Sequence, residues 1–256
     1  MGAGPESPIL DRVQNVIYRK DMAGPAIIGI ASESDLQKVL STSAIKMSLP
    51  VLACVGGAAG IADEEMATLA ELLTAHVIPL VDKTSVTVVD GGTDSGVMRL
   101  IGQARAATNG SFQLVGVAAA GTVRVPDAQK PPSNDAAEIE PNHTHIVLVP
   151  GDSWGDETPW LSAVAATIAA DMPSATLVVN GGAITLDDAL ASLRARRPVI
   201  VLAGSGRAAD EIAGARTGQP AGDPAQEVAD SPLTTIVSMR DQASVLTAIT
   251  RALAAP

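Results

Sequence analysis

Aromatic and basic residues are both scarce in this chain. The aromatic residues are Tyr18, Phe112, Trp154 and Trp160, only 2% of 256 residues, whereas hydrophobic residues make up 46%. A core must therefore be built from Ala, Val, Leu and Ile, and no platform exists for stacking a series of bases. Only 17 Lys and Arg stand against 28 Asp and Glu, for a net charge of −11. Because nucleic-acid binding depends on neutralising phosphates with basic side chains, we expect no nucleic-acid partner.

Cysteine, long apolar runs and basic clusters are also absent or nearly so. Cys54 is the single cysteine, so an internal disulfide is excluded, and we interpret Cys54 as a small core residue. The sequence contains no run of about 18 apolar residues, which would predict a transmembrane helix. It also contains no basic-then-apolar segment at the N-terminus, which would predict a secretion signal. No polybasic patch is present to bind a membrane surface. The sequence therefore predicts a soluble cytoplasmic protein with no membrane partner.

Short apolar segments alternate with amphipathic ones along most of the chain, which is the pattern of β-α-β units and a parallel sheet. The predicted strands are Ala26–Ala31, Val51–Val55, Val86–Asp90, Leu114–Ala118, Ile146–Val149, Thr176–Val179, Val199–Ala203 and Thr235–Ser238. The predicted helices are Asp63–Ala75, Asp94–Thr108, Trp160–Asp171, Leu186–Arg196, Ala208–Ala215 and Gln242–Leu253. Most of the strands are continuous runs of Val, Ile and Leu, as expected for strands that are covered on both faces.

Two polar, Pro-rich stretches interrupt this alternation. Val123–Asn142 and Thr217–Pro232 predict long surface loops, and neither separates independent domains. We therefore predict one α/β domain over residues 25–256, preceded by an N-terminal tail and short helix over residues 1–24. The predicted domain is a Rossmann-like, doubly wound and mostly parallel sheet of about seven or eight strands.

Four predicted strands run into glycine clusters: ACVGGAAG at 53–60, VVDGGTDSGVM at 88–98, VVNGGAITLDD at 178–188 and VLAGSGRAAD at 201–210. In an open parallel sheet these carboxyl ends form the ligand crevice, and the helix N-terminus that follows suits a phosphate. Glycine lets the backbone approach a ligand closely, although a single Gly-Gly pair is also a common tight turn. An acidic protein can thus hold a small phosphorylated ligand with backbone amides. The candidate residues at these junctions are Gly56, Gly57, Gly91, Gly92, Asp94, Ser95, Gly181, Gly182, Gly204 and Gly206.

The segment Gly204–Ala209 matches the dinucleotide fingerprint G-x-G-x-x-A between a predicted strand and a predicted helix. The acidic residue expected about 20 positions later, at the end of the next strand, is missing. The fingerprint also comes late in the chain, so a standard NAD-dependent dehydrogenase is disfavoured while a phosphate cradle stays open. Arg207 would either contact the phosphate or pair with Asp210 or Glu211 on the helix surface.

Taken in order, GGTDSGVMRLIGQA (91–104), EPNHTHIVLV (140–149), the Gly pair at 181–182 and PVIVLAGSGRAADEIA (198–213) resemble the SLOG superfamily. The similarity covers about residues 25–255 and is strongest to the LSDAT branch. That branch includes the N-terminal ligand-sensing domain of TRPM channels and its stand-alone prokaryotic relatives. The resemblance implies a Rossmann-like domain that senses or processes a nucleotide-derived ligand, with ADP-ribose and other NAD derivatives foremost, and it is compatible with a homo-oligomer. The matching positions are Gly91, Gly92, Thr93, Gly96, Val97, Met98, Asn142, His143, Gly204, Ser205, Gly206, Arg207 and Asp210.

A second SLOG branch, the LOG-type phosphoribohydrolases, cleaves the N-glycosidic bond of nucleoside monophosphates with a PGGxGTxxE motif, which 180–188 resembles. Both glycines and Thr185 match, whereas Asn180, Ile184 and Asp188 replace the proline, the third glycine and the catalytic Glu. On this resemblance Asp188 would be a catalytic carboxylate that stabilises an oxocarbenium-like transition state or activates water. Alternatively, Asp188 complements the helix dipole, or the chain is a scaffold that has lost the site.

The remaining candidates are the tryptophans and histidines. Trp154 and Trp160 lie at a predicted loop–helix boundary, where each either packs against the protein or stacks on an adenine. His143 and His145 are two residues apart at the start of a predicted strand, but no third ligand is suitably spaced, so we predict no metal site. The expected ligand is a nucleotide such as ADP-ribose, NAD or AMP, with no required cofactor, and its turnover stays open.

Overall fold

A parallel sheet of eight strands forms the centre of the molecule, as seen in a computed structural model that describes residues 24–57, 61–125 and 133–254. The strands in chain order are β1 (Ala26–Gly29), β2 (Val51–Gly56), β3 (Thr87–Asp90), β4 (Leu114–Ala119), β5 (Val123–Arg124), β6 (Ala137–Glu138), β7 (His145–Val149), β8 (Ser174–Val179), β9 (Val199–Ala203) and β10 (Thr234–Ser238). The order in the sheet is β1-β7-β4-β3-β2-β8-β9-β10, every pair is parallel, and β5 and β6 pair separately. This confirms the predicted doubly wound α/β fold and all eight predicted strands.

Helices cover both faces of this sheet. They are α1 (Leu36–Thr42), α2 (Asp63–Glu71), α3 (Ile78–Lys83), α4 (Gly96–Ala107), α5 (Thr158–Ala169), α6 (Ala183–Arg194), α7 (Arg207–Arg216), α8 (Asp223–Asp230) and α9 (Gln242–Ala252). One core contains residues of α1 and of α5 to α8, and the core on the other face contains residues of α2 to α4 and of α9. Across the described ranges, no helix combines the length and the apolar character needed to cross a membrane.

The central strand β2 shows why continuous apolar runs suit this architecture. Successive side chains of a strand face opposite sides, so Val51, Ala53 and Val55 enter one core while Leu52 and Cys54 enter the other. All five side chains are buried. A strand with helices on both faces has no solvent side, and alternation with polar residues is therefore absent from its sequence.

The apolar periodicity did not predict two short helices, α1 and α8. A 3₁₀ turn (Glu33–Asp35) leads into α1, and α8 lies inside the stretch predicted as a loop at Thr217–Pro232. Helix α8 buries Ala225, Val228 and Ala229, a narrow stripe at helical spacing that the surrounding Gly and Pro residues obscure. Strands β5 and β6 lie inside the other predicted loop, Val123–Asn142, of which residues 126–132 are outside the described residues. Residues 1–23 also lie outside them, so the predicted tail and short helix stay predictions.

The predicted helix Asp63–Ala75 continues to Lys83. A π-helical segment (Leu72–Val77) joins α2 to α3, and Pro79 is the second residue of α3. Proline has no N–H to donate to the turn before it and normally marks a helix end. The π turn absorbs this loss while keeping its apolar side chains in the core.

The strand order reverses at β2. Strands β3, β4, β7 and β1 extend the sheet on one side of β2, and β8, β9 and β10 extend it on the other. At the carboxyl end, β2 and β8 are so close that a Cβ on Gly56, whose φ is +145°, would lie 1.8 Å from the carbonyl oxygen of Val179. In open α/β sheets, ligands bind outside the carboxyl ends of the strands at such a switch point.

Candidate functional site

A cavity of about 420 Å³ opens at the carboxyl ends of β2, β3, β4 and β8. The predicted residues that line it are Gly56, Gly57, Gly91, Thr93, Met98, Gly181, Gly182, Thr185, Asp188 and Arg207. The predicted residues that do not line it are Gly92, Asp94, Ser95, Gly96, Val97, Asn142, His143, Gly204, Ser205, Gly206 and Asp210. Three glycine junctions therefore meet around one cavity, whereas the junction after β9 contributes only Arg207.

The N-terminus of α6 forms one wall of the cavity. Gly182 precedes the helix and donates its N–H to Thr185 Oγ1 at 3.3 Å. The first amides of a helix lack partners within the helix and carry a partial positive charge. The guanidinium of Arg207 adds a cation, because its Nη2 lies 2.9 Å from the position that a Cβ would take on Gly182. This wall therefore suits an anionic group such as phosphate.

Arg207 is exposed and forms no ion pair with the described residues. The two acids of its own helix, α7, instead accept hydrogen bonds from backbone amides. Asp210 Oδ1 accepts from the N–H of Gly204 at 2.5 Å, and Glu211 Oε1 accepts from the N–H of Gly222 at 2.9 Å. Of the two roles that the sequence left open for Arg207, the surface ion pair is absent from this part of the structure.

Hydrogen bonds join the GSGRAA loop after β9 to the turn between β8 and α6. The side-chain amide of Asn180 donates to the carbonyl of Ser205 at 2.8 Å, and Ser205 Oγ accepts from the backbone N–H of Asn180 at 2.8 Å. The amides of Ala208 and Ala209 donate to the carbonyls of Gly181 and Asn180, at 3.4 and 3.1 Å. The first amides of α7 thus bind the turn between β8 and α6, a supporting role that the fingerprint did not predict.

Gly92 approaches the sheet rather than the cavity. Its φ is +67°, and a Cβ there would lie 2.9 Å from both Gly116 Cα in β4 and Ile146 Cδ1 in β7. Its N–H donates to Asp90 Oδ1 at 2.8 Å. The close backbone approach predicted for a ligand is made to a neighbouring strand, so a larger side chain at Gly92 is expected to disturb the fold first.

His143 lies between two buried carboxylates, outside the cavity. Its Nε2 is 2.8 Å from Asp90 Oδ1, and its Nδ1 is 2.8 Å from Glu140 Oε2. Burial alone would lower the pKa of His143, but the two carboxylates outweigh it and raise the pKa to about 9. Asn142 donates to Glu140 through its backbone N–H and its side-chain amide. Asp90, His143 and Glu140, termed the buried triad, thus tie the end of β3 to the segment before β7.

A second pair of acids, Glu157 and Asp188, lines the cavity without a histidine between them. Burial raises the pKa of Asp188 to about 7, and repulsion from Glu157 and Asp187 adds to the effect. Burial also raises the pKa of Glu157. Asp188 Oδ1 and the Thr158 hydroxyl are both buried without a hydrogen bond of normal geometry among the described residues. The Thr158 hydroxyl is nevertheless close enough to lower the pKa of Asp188 in part. These two acids, termed the cavity carboxylates, are the least compensated charges around the site.

The sequence did not single out Glu157, whose only signal is its place directly before a helix. Its Oε2 accepts from the N–H of Gly155 at 3.0 Å. Trp154, in the same turn, lines the cavity, is 38% exposed and donates its indole N–H to Asp135 Oδ2 at 3.0 Å. Trp160 instead packs against the core. Trp160 therefore packs against the protein, whereas stacking on an adenine stays a prediction for Trp154.

Cys54 contributes to the cavity wall although it belongs to the core. Burial raises the pKa of its thiol, and the neighbouring charge of Asp90 raises it further. The thiol therefore stays protonated and behaves as a small apolar side chain, in line with its interpretation from the sequence.

Comparison with known families identifies the domain. The family described as SLOG in TRPM, prokaryote (LSDAT_prok) matches residues 49–248. The chain belongs to this LSDAT family. The matched range contains every residue that lines the cavity and all three residues of the buried triad. Membership confirms the resemblance carried by the glycine junctions and agrees with a ligand-binding domain. No curated protein matches the chain.

Proposed function

We propose that this LSDAT domain is a sensor that binds a small nucleotide-derived ligand, such as ADP-ribose or another NAD derivative, in the cavity at the switch point. The observation that carries the proposal is the wall formed by the N-terminus of α6 with the Arg207 guanidinium over Gly182. Backbone amides and one guanidinium can hold a phosphate without a basic surface. This arrangement suits a chain whose net charge is −11.

The rest of the cavity supports a ligand of this class. Its volume of about 420 Å³ lies in the lower part of the range for ligand pockets, about 300–1,000 Å³. Apart from Arg207 and the two cavity carboxylates, its lining consists mainly of glycines and apolar side chains, with Trp154 at the rim. Apolar walls with a few convergent polar groups are typical of small-molecule sites. A cytoplasmic location and a homo-oligomer stay predictions from the sequence.

Hydrolysis of an N-ribosyl bond is the second candidate function, and the position of Asp188 favours it. Asp188 lines the cavity, and its pKa of about 7 lets the carboxyl group exchange a proton near neutral pH. A group with such a pKa is suited to activate water beside a ribose. In this alternative the wall formed by α6 still holds the phosphate, and Asp188 acts on the sugar.

Calorimetric titration of the full chain with AMP, NAD and ADP-ribose tests binding, and chromatography of the same mixtures tests turnover. We expect Arg207→Ala to weaken binding roughly tenfold, because it removes a charge-assisted contact to phosphate. Arg194→Ala, which removes an exposed arginine at the other end of α6, is the matched control and should bind like the wild type. Released base that disappears in Asp188→Asn would establish the hydrolase. Failure of every nucleotide to bind the wild type would refute both functions.

A further inference from the structure

The cavity has two chemically different ends. The first turn of α6 and Arg207 form the end that attracts anions, as described above. Asp188 follows Gly182 by six residues, so about 9 Å of helix rise separates the two positions. The turn that carries Trp154 packs on Ile184, which lies one helical turn before Asp188 on the same face of α6, because a Cβ on Gly155 would lie 3.6 Å from Ile184 Cγ1. Trp154 and the cavity carboxylates therefore form a second end, distinct from the first.

Within residues 24–57, 61–125 and 133–254, the second end carries negative charge that no cation balances. Among the described residues that line the cavity, Arg207 is the only cation, and it lies at the other end. Further acids surround the second end: Asp135 binds the indole N–H of Trp154, and Asp187 precedes Asp188. A buried carboxylate oxygen without a partner costs free energy until a donor or a positive charge meets it. A ligand that brings positive charge to this end would relieve that cost.

We propose that this end selects a ligand ring with a fixed positive charge, so that the cavity prefers a pyridinium mononucleotide to nucleotides with uncharged or anionic rings. The inference rests on the proposed function, because it needs the phosphate on the first turn of α6. A planar cationic ring is attracted to the face of an indole, and Trp154 lines the cavity directly before the turn that holds Glu157. The cavity carboxylates supply the counter-charge, while the anionic end of the same ligand reaches Arg207.

Nicotinamide mononucleotide and its dihydro form provide a matched pair of probes. They share the phosphate, the ribose and the carboxamide, but only the oxidised ring is positively charged. In calorimetric titrations of the full chain at about pH 8, where Asp188 is mostly ionised, we expect the oxidised form to bind at least about fivefold more tightly. Nicotinic acid mononucleotide, whose ring bears a carboxylate, should bind more weakly than the amide. Chromatography after each titration checks that the probes remain intact.

Variants assign the preference to named side chains. Asp188→Asn and Glu157→Gln should each reduce the preference for the oxidised ring. Asp171→Asn, which changes an exposed acid after α5 that does not line the cavity, should leave it unchanged. Trp154→Leu should weaken binding of the oxidised form more than binding of the reduced form.

The outcomes separate this inference from the function on which it rests. Equal affinities for the two ring forms would overturn the inference alone. A preference that survives both Asp188→Asn and Glu157→Gln would also overturn it. If ADP-ribose or NAD binds but no mononucleotide does, the inference falls alone; if AMP, NAD, ADP-ribose and the mononucleotide probes all fail to bind, the proposed function and the inference fall together.

Discussion

The buried triad and the cavity carboxylates contain the same acidic residue types but resolve their charge in opposite ways. In the triad, His143 contacts Asp90 and Glu140 at 2.8 Å with both ring nitrogens, and all three side chains are buried. Around the cavity, Glu157 and Asp188 repel each other, and no cation pairs with either of them in the described structure. A buried charge is tolerated when it is paired and hydrogen-bonded. The buried triad therefore stabilises the fold, whereas the cavity carboxylates favour binding of a proton or of a ligand.

This contrast separates structural acids from candidate site acids better than the family motifs do. His143 and Asn142 match a family block, yet both serve to hold Glu140 in place. Glu157 matches no motif but lines the cavity. Since perturbed pKa values occur at functional sites and in structural ion networks alike, exposure to a cavity and the absence of a counter-charge are the features that distinguish the two.

Removing the positive charge of the triad should change the free energy of unfolding more than any other proposed substitution. We expect His143→Leu to lower the free energy of unfolding by about 4 kcal/mol, because two buried carboxylates lose their partner. His145→Leu is the matched control, since His145 lies two residues further along and is only half-buried, and its cost should stay below about 1 kcal/mol. Urea unfolding followed by circular dichroism measures both. Equal losses in the two variants would show that the triad does not depend on charge.

The triad should also make stability depend on pH. The pKa of His143 is about 9 in the folded protein against a reference value of 6.5. Its contribution is therefore complete below about pH 6.5 and is lost as the pH rises through 9. In that range the folded state holds more protons than the unfolded state, so the free energy of unfolding should fall by about 3 kcal/mol.

Unfolding titrations at closely spaced pH values across this range test the dependence. His143→Gln removes the titrating group and should flatten the profile. A wild-type free energy of unfolding that is constant or increases over the same range would contradict the assignment.

Neutralising a cavity carboxylate should have a smaller effect of the opposite sign. The folded-state pKa of Asp188 is raised from 3.8 to about 7, so ionisation costs stability as the pH rises through this range. Asp188→Asn removes the cost, and we expect about 2 kcal/mol of stabilisation at about pH 8, after allowance for partial exposure.

The control for this prediction is Asp187→Asn. Asp187 is exposed, and its substitution should change stability by no more than about 0.5 kcal/mol. Thermal unfolding of the three proteins without ligand decides the question. Destabilisation by Asp188→Asn would mean that Asp188 serves the fold, as the acids of the triad do.

The strands were predictable because a strand that is buried on both faces must be apolar throughout, and this signal is local. The helices were predictable where their apolar stripe is wide, and they failed at α8, where three small buried residues lie among Gly and Pro. The glycine junctions after β2, β3 and β8 do line the cavity. Their contacts were less predictable, because His143 lies 53 residues from Asp90 and Asn180 lies 25 residues from Ser205.

The sequence alone determined the parallel architecture, the LSDAT resemblance and the edge of the sheet at which a ligand is expected, because periodicity and strand-end glycines are local properties. Only the tertiary structure decided which groups at that edge are free to bind. In the tertiary structure, the first amides of α7 donate hydrogen bonds to the turn after β8, and His143 pairs with two of the acids. Glu157 and Asp188 are left facing the cavity. Burial and pairing depend on neighbours in space, and two pairs of acids with the same residue types therefore acquire different chemistry.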